Sequence, residues 1–300
     1  MKIAGRRGSA TALGLLVMSG ASAQVPDTSG WNEPSEPFRV LGNVHFVGTN
    51  ELAAFLVASP AGHVLVDGGL PESAPLIEKS IRALGFEPKD IRVLVTTQAH
   101  FDHVGSLAHF KRVSGAQVAV MDGDVSVVES GGRTDYLFGN AGDRVHFEGV
   151  KVDRTLRDGD TVAVGNVTMT ARRTPGHTPG STTWLTTVED GGRPYAVVFA
   201  ASTTINPGTR LLDRPSYPGI AEDFERSFGI LESLRPDVFL GAHTSFFQME
   251  ERRARLGQGG KNPFVDPDGL RKHLALKKRA FQEQVQRERA EMEKATPAKP

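Results

Sequence analysis

The strongest constraint on this chain is a β-branched, mostly apolar run, Ile91 to Thr97, that empties directly into Gln98-Ala99-His100-Phe101-Asp102-His103. Such a run predicts a buried strand. A strand end is a rigid place to hold side chains that must still face a cleft. Here it delivers His100, Asp102 and His103, three strong metal ligands, within four residues. Two more histidines stand in similar settings. His177 lies in Thr174-Pro175-Gly176-His177-Thr178-Pro179-Gly180, where Pro and Gly on both sides force a tight loop that aims one imidazole inward. His243 follows the short apolar run Val238-Phe239-Leu240. Imidazole and carboxylate donors without sulfur suit Zn²⁺, with an open position for water in a catalytic site. The remaining histidines, His45, His63, His109, His146 and His273, are isolated and read as ordinary surface or core residues.

Around that segment the pattern alternates. Strands are predicted at Val44–Val47, Leu52–Val57, His63–Val66, Gln117–Met121, Val162–Val164, Val167–Ala171, Thr182–Thr187, Tyr195–Phe199 and Val238–Leu240. Helical spacing covers Pro75 to Leu84, with Gly85 at the stop position, then Leu107 to Val113 and Ile220 to Leu234. Residues 24–37 read as an irregular arm, and Gly131 to Gly142 as a Gly- and Asp-rich loop. From Pro267 a charged helix runs toward a Pro- and Lys-containing tail and reads as a solvated face. Two runs of strands mixed with helices predict an α/β sandwich with helices outside, a single domain over 24–300.

Charge and cysteine content remove several function classes. Acidic and basic residues number 35 each among 300, so the formal net charge is zero. That balance gives no bulk attraction to nucleic acid or anionic membranes. No cysteine is present, which excludes disulfides, thiolate ligands and a cysteine nucleophile. Residues 1–23 read as an export signal: Lys2, Arg6 and Arg7, an apolar run from about Ala10 to Gly20, then Ala21-Ser22-Ala23. The run is too short for a spanning helix, which needs roughly 20 apolar residues. Cleavage after Ala23 predicts a soluble mature protein in a bacterial periplasm.

His100-Phe101-Asp102-His103 after a strand, with the later His177 and His243, resembles the metallo-β-lactamase superfamily, and within it the class B β-lactamases of subclass three. The likeness extends through Trp31-Asn32-Glu33-Pro34, Gly48-Thr49-Asn50-Glu51-Leu52, the 131–139 loop, Gly176-His177-Thr178-Pro179-Gly180, Asn206-Pro207-Gly208, Tyr217-Pro218 and Glu222-Asp223. The resemblance implies an αβ/βα sandwich of two mixed β-sheets flanked by helices. It implies one or two Zn²⁺ per chain, one held by Gln98, His100 and His177, the other by Asp102, His103 and His243. Asp102 would also orient the attacking water and move its proton, Asp67 would orient a ligand, and Thr203 and Trp31 would contact substrate. The implied activity is hydrolysis of a small β-lactam by zinc-activated water, conferring antibiotic resistance, in a monomer with no nucleic-acid or membrane partner.

Two positions depart from that pattern. Gln98 replaces the usual histidine, as in some members of the subclass, and a neutral amide oxygen is a poorer zinc ligand, so its site is expected to be the weaker. Leu270 stands where related sequences often have tyrosine, with only local repacking expected. Glyoxalase II-type and lactonase-type relatives use a bridging aspartate after a late strand, and Ala201-Ser202-Thr203 has none. Hydrolysis of another ester, lactone or thioester on the same metals is the alternative; a nuclease and a metal-binding protein without turnover stand further off.

Overall fold

A computed structural model of the chain describes residues 25–295, so the expected export signal lies outside the described residues. Two mixed sheets carry the fold. The first has seven strands in sequence order: β1 (Phe38–Leu41), β2 (Val44–Phe46), β3 (Phe55–Ser59), β4 (Gly62–Val66), β5 (Ile91–Val95), β6 (Gln117–Met121) and β7 (Arg154–Leu156). Pairing is antiparallel from β1 to β4 and parallel from β4 to β7. The second sheet has five strands: β8 (Thr161–Val164), β9 (Val167–Arg173), β10 (Thr182–Asp190), β11 (Arg193–Ala200) and β12 (Val238–Gly241). Only β11 and β12 pair in parallel there.

The two-residue period of strands builds the layers. Val64, Val66, Val93 and Val95 point into a core shared with Met169, Trp184 and Phe199 of the second sheet. Their neighbours Leu65 and Leu94 point the other way, into a core with Ile77 and Ile81 of α1 (Ala74–Ala83) and Leu107 and Phe110 of α3 (Leu107–Ser114). Between these lies the one-turn α2 (Phe101–Val104), and α4 (Val125–Ser130) follows β6. Gly85 has φ +84°, the left-handed stop expected after α1. The second sheet is backed by α5 (Ile220–Ser233), and the chain closes with α6 (Met249–Ala254) and α7 (Gly269–Ala295). The αβ/βα sandwich read from the sequence is therefore the observed architecture.

The differences have local causes. β5 ends at Val95, not Thr97, because the Thr97 N–H and hydroxyl both donate to Asp67 at 2.7 Å and turn the chain out of the ladder. The strand expected from Leu52 starts at Phe55, and Leu52 makes only an isolated bridge to His243. β1, β7 and α4 were not anticipated; at four, three and six residues they are too short to show a period. The largest correction concerns the terminal helix. Leu270, Leu274 and Phe281 of α7 enter the core, and the buried Glu288 carboxylate accepts the Leu211 N–H (2.9 Å) and the Leu212 N–H (2.7 Å). Only its outer side is the solvated face expected. Among the described residues no helix is long and apolar enough to cross a membrane.

Candidate metal centre

The site sits where several chain reversals meet. His100 precedes α2, and the N–H groups of His103 and Val104 return to its carbonyl at 2.9 and 3.1 Å. That single turn presents Asp102 and His103 together. His103 is further pinned because the Gly68 N–H donates to its carbonyl at 2.7 Å. His177 hangs from a tight loop between β9 and β10. Gly176 there has φ +132°, and a Cβ would come within 2.7 Å of the Phe224 ring, so only glycine lets the loop close on α5. His243 follows β12 and is fixed to the 50–54 segment through the Thr244 N–H to Glu51 and the Ala53 N–H to Ala242.

Side chains from these segments converge. Asp102, His103 and His243 each offer a ligand atom, all within 4.8 Å of one another. Asp102 Oδ2 lies 3.3 Å from His103 Nε2 and 3.5 Å from His243 Nε2. A second pair faces across the same cavity, His100 Nδ1 at 3.0 Å from His177 Nε2. Two imidazoles on one tetrahedral zinc, with Zn–N of ~2.0–2.1 Å, hold their nitrogens ~3.3 Å apart. The observed spacing is close to that.

The far nitrogens are also placed. His177 Nδ1 donates to the Thr204 carbonyl at 2.6 Å, His103 Nδ1 lies 3.3 Å from Asp67 Oδ2, and His100 Nε2 lies 3.4 Å from Asp135 Oδ2. Three of the four imidazoles thus have an acceptor behind them, the usual backing of a metal-ligating histidine. His103 Nε2, which faces Asp102, is buried without a hydrogen-bond partner, and such an orphan needs an explanation.

The electrostatics agree. Burial opposes a charge on His103, yet Asp102 and Asp67 push its pKa up to about 10. Asp102 is driven the other way, well below the usual carboxylate range, because the neighbouring histidines outweigh its burial. Burial, then His103, lowers His243 to about 4, and burial, then His100, holds His177 well below its ordinary value. The centre thus combines neutral imidazoles at His177 and His243 with a His103 whose charged form the carboxylates favour, a field that favours positive charge. The donor set fits a divalent metal.

Gln98 and Thr203 are placed differently from the sequence reading. The Gln98 side chain is buried, does not line the cavity, and its Oε1 accepts the Ser202 N–H at 3.0 Å. Thr203 is buried with its hydroxyl unpartnered, while Ser202 and Thr204 form the cavity wall. Trp31 does line the cavity, its ring 5.5 Å from His243. The cavity measures about 320 Å³.

Two carboxylates went unread in the sequence. Asp135 lies inside the 131–142 loop; its Oδ1 accepts the Leu137 and Phe138 N–H groups, which leaves Oδ2 toward His100. Asp124 ties two ligand-bearing loops together. Its Oδ2 accepts the Ala99 N–H (2.9 Å) and the Thr178 hydroxyl (2.7 Å), and its Oδ1 accepts the Gly180 N–H (2.7 Å). Burial nevertheless pushes its pKa up to about 6. Asp124→Asn would set an amide N–H₂ against one of these donors. We expect a loss of ~2–3 kcal/mol, from one repelled and unsatisfied buried donor, read as a lower urea midpoint at unchanged m-value. A midpoint equal to wild type would refute the assignment.

Two mixed sheets with helices outside, and a histidine–carboxylate cluster at one edge, define a metal-dependent hydrolase. The sequence pattern of the metallo-β-lactamase superfamily matches residues 52–243, and the chain belongs to that superfamily. Among solved structures it is similar to the FEZ-1 metallo-β-lactamase of Legionella gormanii, at 40% identity and TM-score 0.82, covering 85% of this chain and 97% of that one. It is also similar to BJP-1, a subclass B3 metallo-β-lactamase of Bradyrhizobium japonicum, at 34% identity and TM-score 0.83, covering 88% and 99%. By sequence it resembles a probable metallo-hydrolase of Burkholderia pseudomallei, 33% identical over 55% of this chain and 54% of that protein. An N-acyl homoserine lactonase of Agrobacterium fabrum is 26% identical over 51% of this chain and 65% of its own length. The chain thus spans between about half and two thirds of these two relatives.

Proposed function

We propose that this protein is a zinc-dependent β-lactamase of subclass three that opens penicillins, cephalosporins or carbapenems as an exported, periplasmic resistance enzyme. The observation that carries the reading is the Asp102–His103–His243 cluster facing the His100–His177 pair across one cavity. Likeness to solved β-lactamases over more than four fifths of the chain supports it. So does the end of β11: Ala200 leads into Ala201-Ser202-Thr203, with no carboxylate there to bridge two metals. The lactonase likeness, by contrast, covers only about half of the chain.

One metal would be held by Asp102, His103 and His243, the other by His100 and His177 with Gln98. When bound, the metal would supply a Lewis acid that brings the pKa of water from 15.7 to about 7 and polarises a carbonyl. The chain's own groups do the rest. The Asp102 carboxylate orients the attacking water and accepts its proton. As water adds to the lactam carbonyl carbon and the C–N bond breaks, that proton passes to the departing nitrogen. Asp67 and the Thr204 carbonyl keep His103 and His177 in one tautomer. Trp31, Phe101 and Phe138 exclude water from the cavity walls.

The test is hydrolysis of a chromogenic cephalosporin by the zinc-loaded protein, with and without a chelator. We expect rapid, chelator-sensitive ring opening. A homoserine lactone or a thioester turned over at least a hundredfold faster than any lactam would sink the proposal in favour of the other hydrolase.

A further inference from the structure

The segment between Ala200, the end of β11, and Ile220, the start of α5, contains no helix or strand, yet it supplies Ser202, Thr204 and Asn206 to the cavity wall. A connection this long is ordinarily mobile unless side chains tie it down. Its near end is tied by the Ser202 N–H to Gln98 and by the Thr204 carbonyl, which accepts the His177 Nδ1–H at 2.6 Å. Its middle closes on itself. The Thr209 N–H donates to the Asn206 carbonyl at 3.0 Å, and Arg210 and Ser216 exchange hydrogen bonds. From residue 205 to 216, every backbone hydrogen bond among the described residues that leaves the segment goes to α7. Gln284 Nε2 donates to the Thr209 carbonyl at 2.7 Å, and the Glu288 carboxylate accepts the Leu211 N–H (2.9 Å) and the Leu212 N–H (2.7 Å). Gln284 also donates to Glu288 at 3.0 Å, so the two side chains act as one clamp.

The clamp stands out by its charge. Glu288 is 7% exposed, and among the described residues no cation lies within ion-pair distance of it. Burying a carboxylate without a counter-ion is costly. Glu283 and Glu291, exposed on the same helix, incur no such cost. What offsets it at Glu288 is the pair of consecutive backbone amides, through charge-assisted bonds roughly twice as strong as neutral ones. The carboxylate is thus committed to the segment behind the cavity wall and to nothing else on the protein surface.

We propose that Glu288, seated by Gln284, is a positioning residue of the metal centre. It fixes the 204–212 segment from behind, so that the Thr204 carbonyl stays on His177 Nδ1 and keeps Nε2 turned toward His100. The assignment rests on reading His100 and His177 as a zinc pair, whatever the substrate. The Asp102–His103–His243 group hangs on other segments, so loosening the 204–212 segment costs affinity at one metal position and not at the other.

The experiment titrates zinc calorimetrically into metal-free wild type, Glu288→Ala and Glu288→Gln, and follows amide hydrogen exchange in the same proteins. In Glu288→Ala, exchange over 204–212 should quicken at least about tenfold while β5 and β11 stay protected. The weaker zinc event should loosen by about tenfold, as expected when the backing of a histidine ligand is lost, and the tight event should not move. Glu288→Gln keeps a carbonyl oxygen for both amides and should recover most of that affinity. Two zinc events in Glu288→Ala that both match wild type overturn the proposal. So do two that weaken together, since that reports a general loss of stability. If Glu288→Ala does not fold, Gln284→Ala is read in its place: a selective loss at the weaker event supports the proposal, and an unchanged one overturns it. If wild type takes up no second zinc, the metal reading fails, and the nitrogen NMR signals of His177 in the metal-free protein decide. An Nδ1–H tautomer present in wild type and lost in Glu288→Ala supports the positioning role, and a tautomer unchanged by the substitution overturns it.

Discussion

Asp102→Ala is expected to lower cephalosporin turnover by about a thousandfold or more while leaving the fold intact. The reasoning starts from position. Asp102 Oδ2 lies within 3.5 Å of both His103 Nε2 and His243 Nε2, so it is the common partner of the cluster. Its carboxylate is the negative charge that most favours a cation at His103. Alanine removes a metal donor and a proton acceptor at once. A positioned general base is worth ~10²–10⁴ in rate, and loss of a ligand adds to that. The backbone should tolerate the change, because α2 is held by the His103 and Val104 N–H groups and by Gly68, none of which uses the Asp102 side chain. Steady-state kinetics with circular dichroism as a control decides it. Activity within tenfold of wild type, on a folded protein, would remove Asp102 from the mechanism.

How much of this was legible before any coordinates depends on how local the signal is. The 91–103 segment reveals itself because strand, turn and three donors are contiguous in the chain. His177 and His243 are legible because each follows a strand and stands in a Gly-marked loop. Asp135 is not, because its relation to His100 spans 35 residues and its loop has no regular period to place it. Asp124 carries no local signal either, since its three donors come from residues 99, 178 and 180. The terminal helix misled for a physical reason. A chain rich in Lys, Arg and Glu reads as solvated on every face, yet long polar side chains bury their stems and aim their heads inward. Glu288 and Lys277 do so, one at backbone N–H groups and one at the cavity. The position of Gln98 in the sequence suggested a ligand; only the fold reveals that its oxygen is already bonded to the Ser202 N–H.

Removing metal is expected to abolish hydrolysis, and returning it should reveal two unequal sites. The Asp102–His103–His243 group presents two imidazoles and a carboxylate already gathered, so a cation entering there meets three donors with little rearrangement. The His100–His177 pair presents two imidazoles, and its third donor would be the Gln98 oxygen, which must share its lone pairs with Ser202 or give that bond up. Amide oxygen is also the weaker base. The two dissociation constants should therefore differ by at least about tenfold. Zinc at 100 times a dissociation constant adds ~2.7 kcal/mol to stability, worth several degrees of melting temperature in a chain of this size. Calorimetric titration of the metal-free protein, with melting followed at each step, should show a tight event carrying most of the thermal gain and then a weaker one. Gln98→His should tighten the weaker event and leave the first unchanged. Two events of equal affinity in the wild type would mean that Gln98 is no handicap, and a melting temperature indifferent to zinc would mean that the cluster does not bind it.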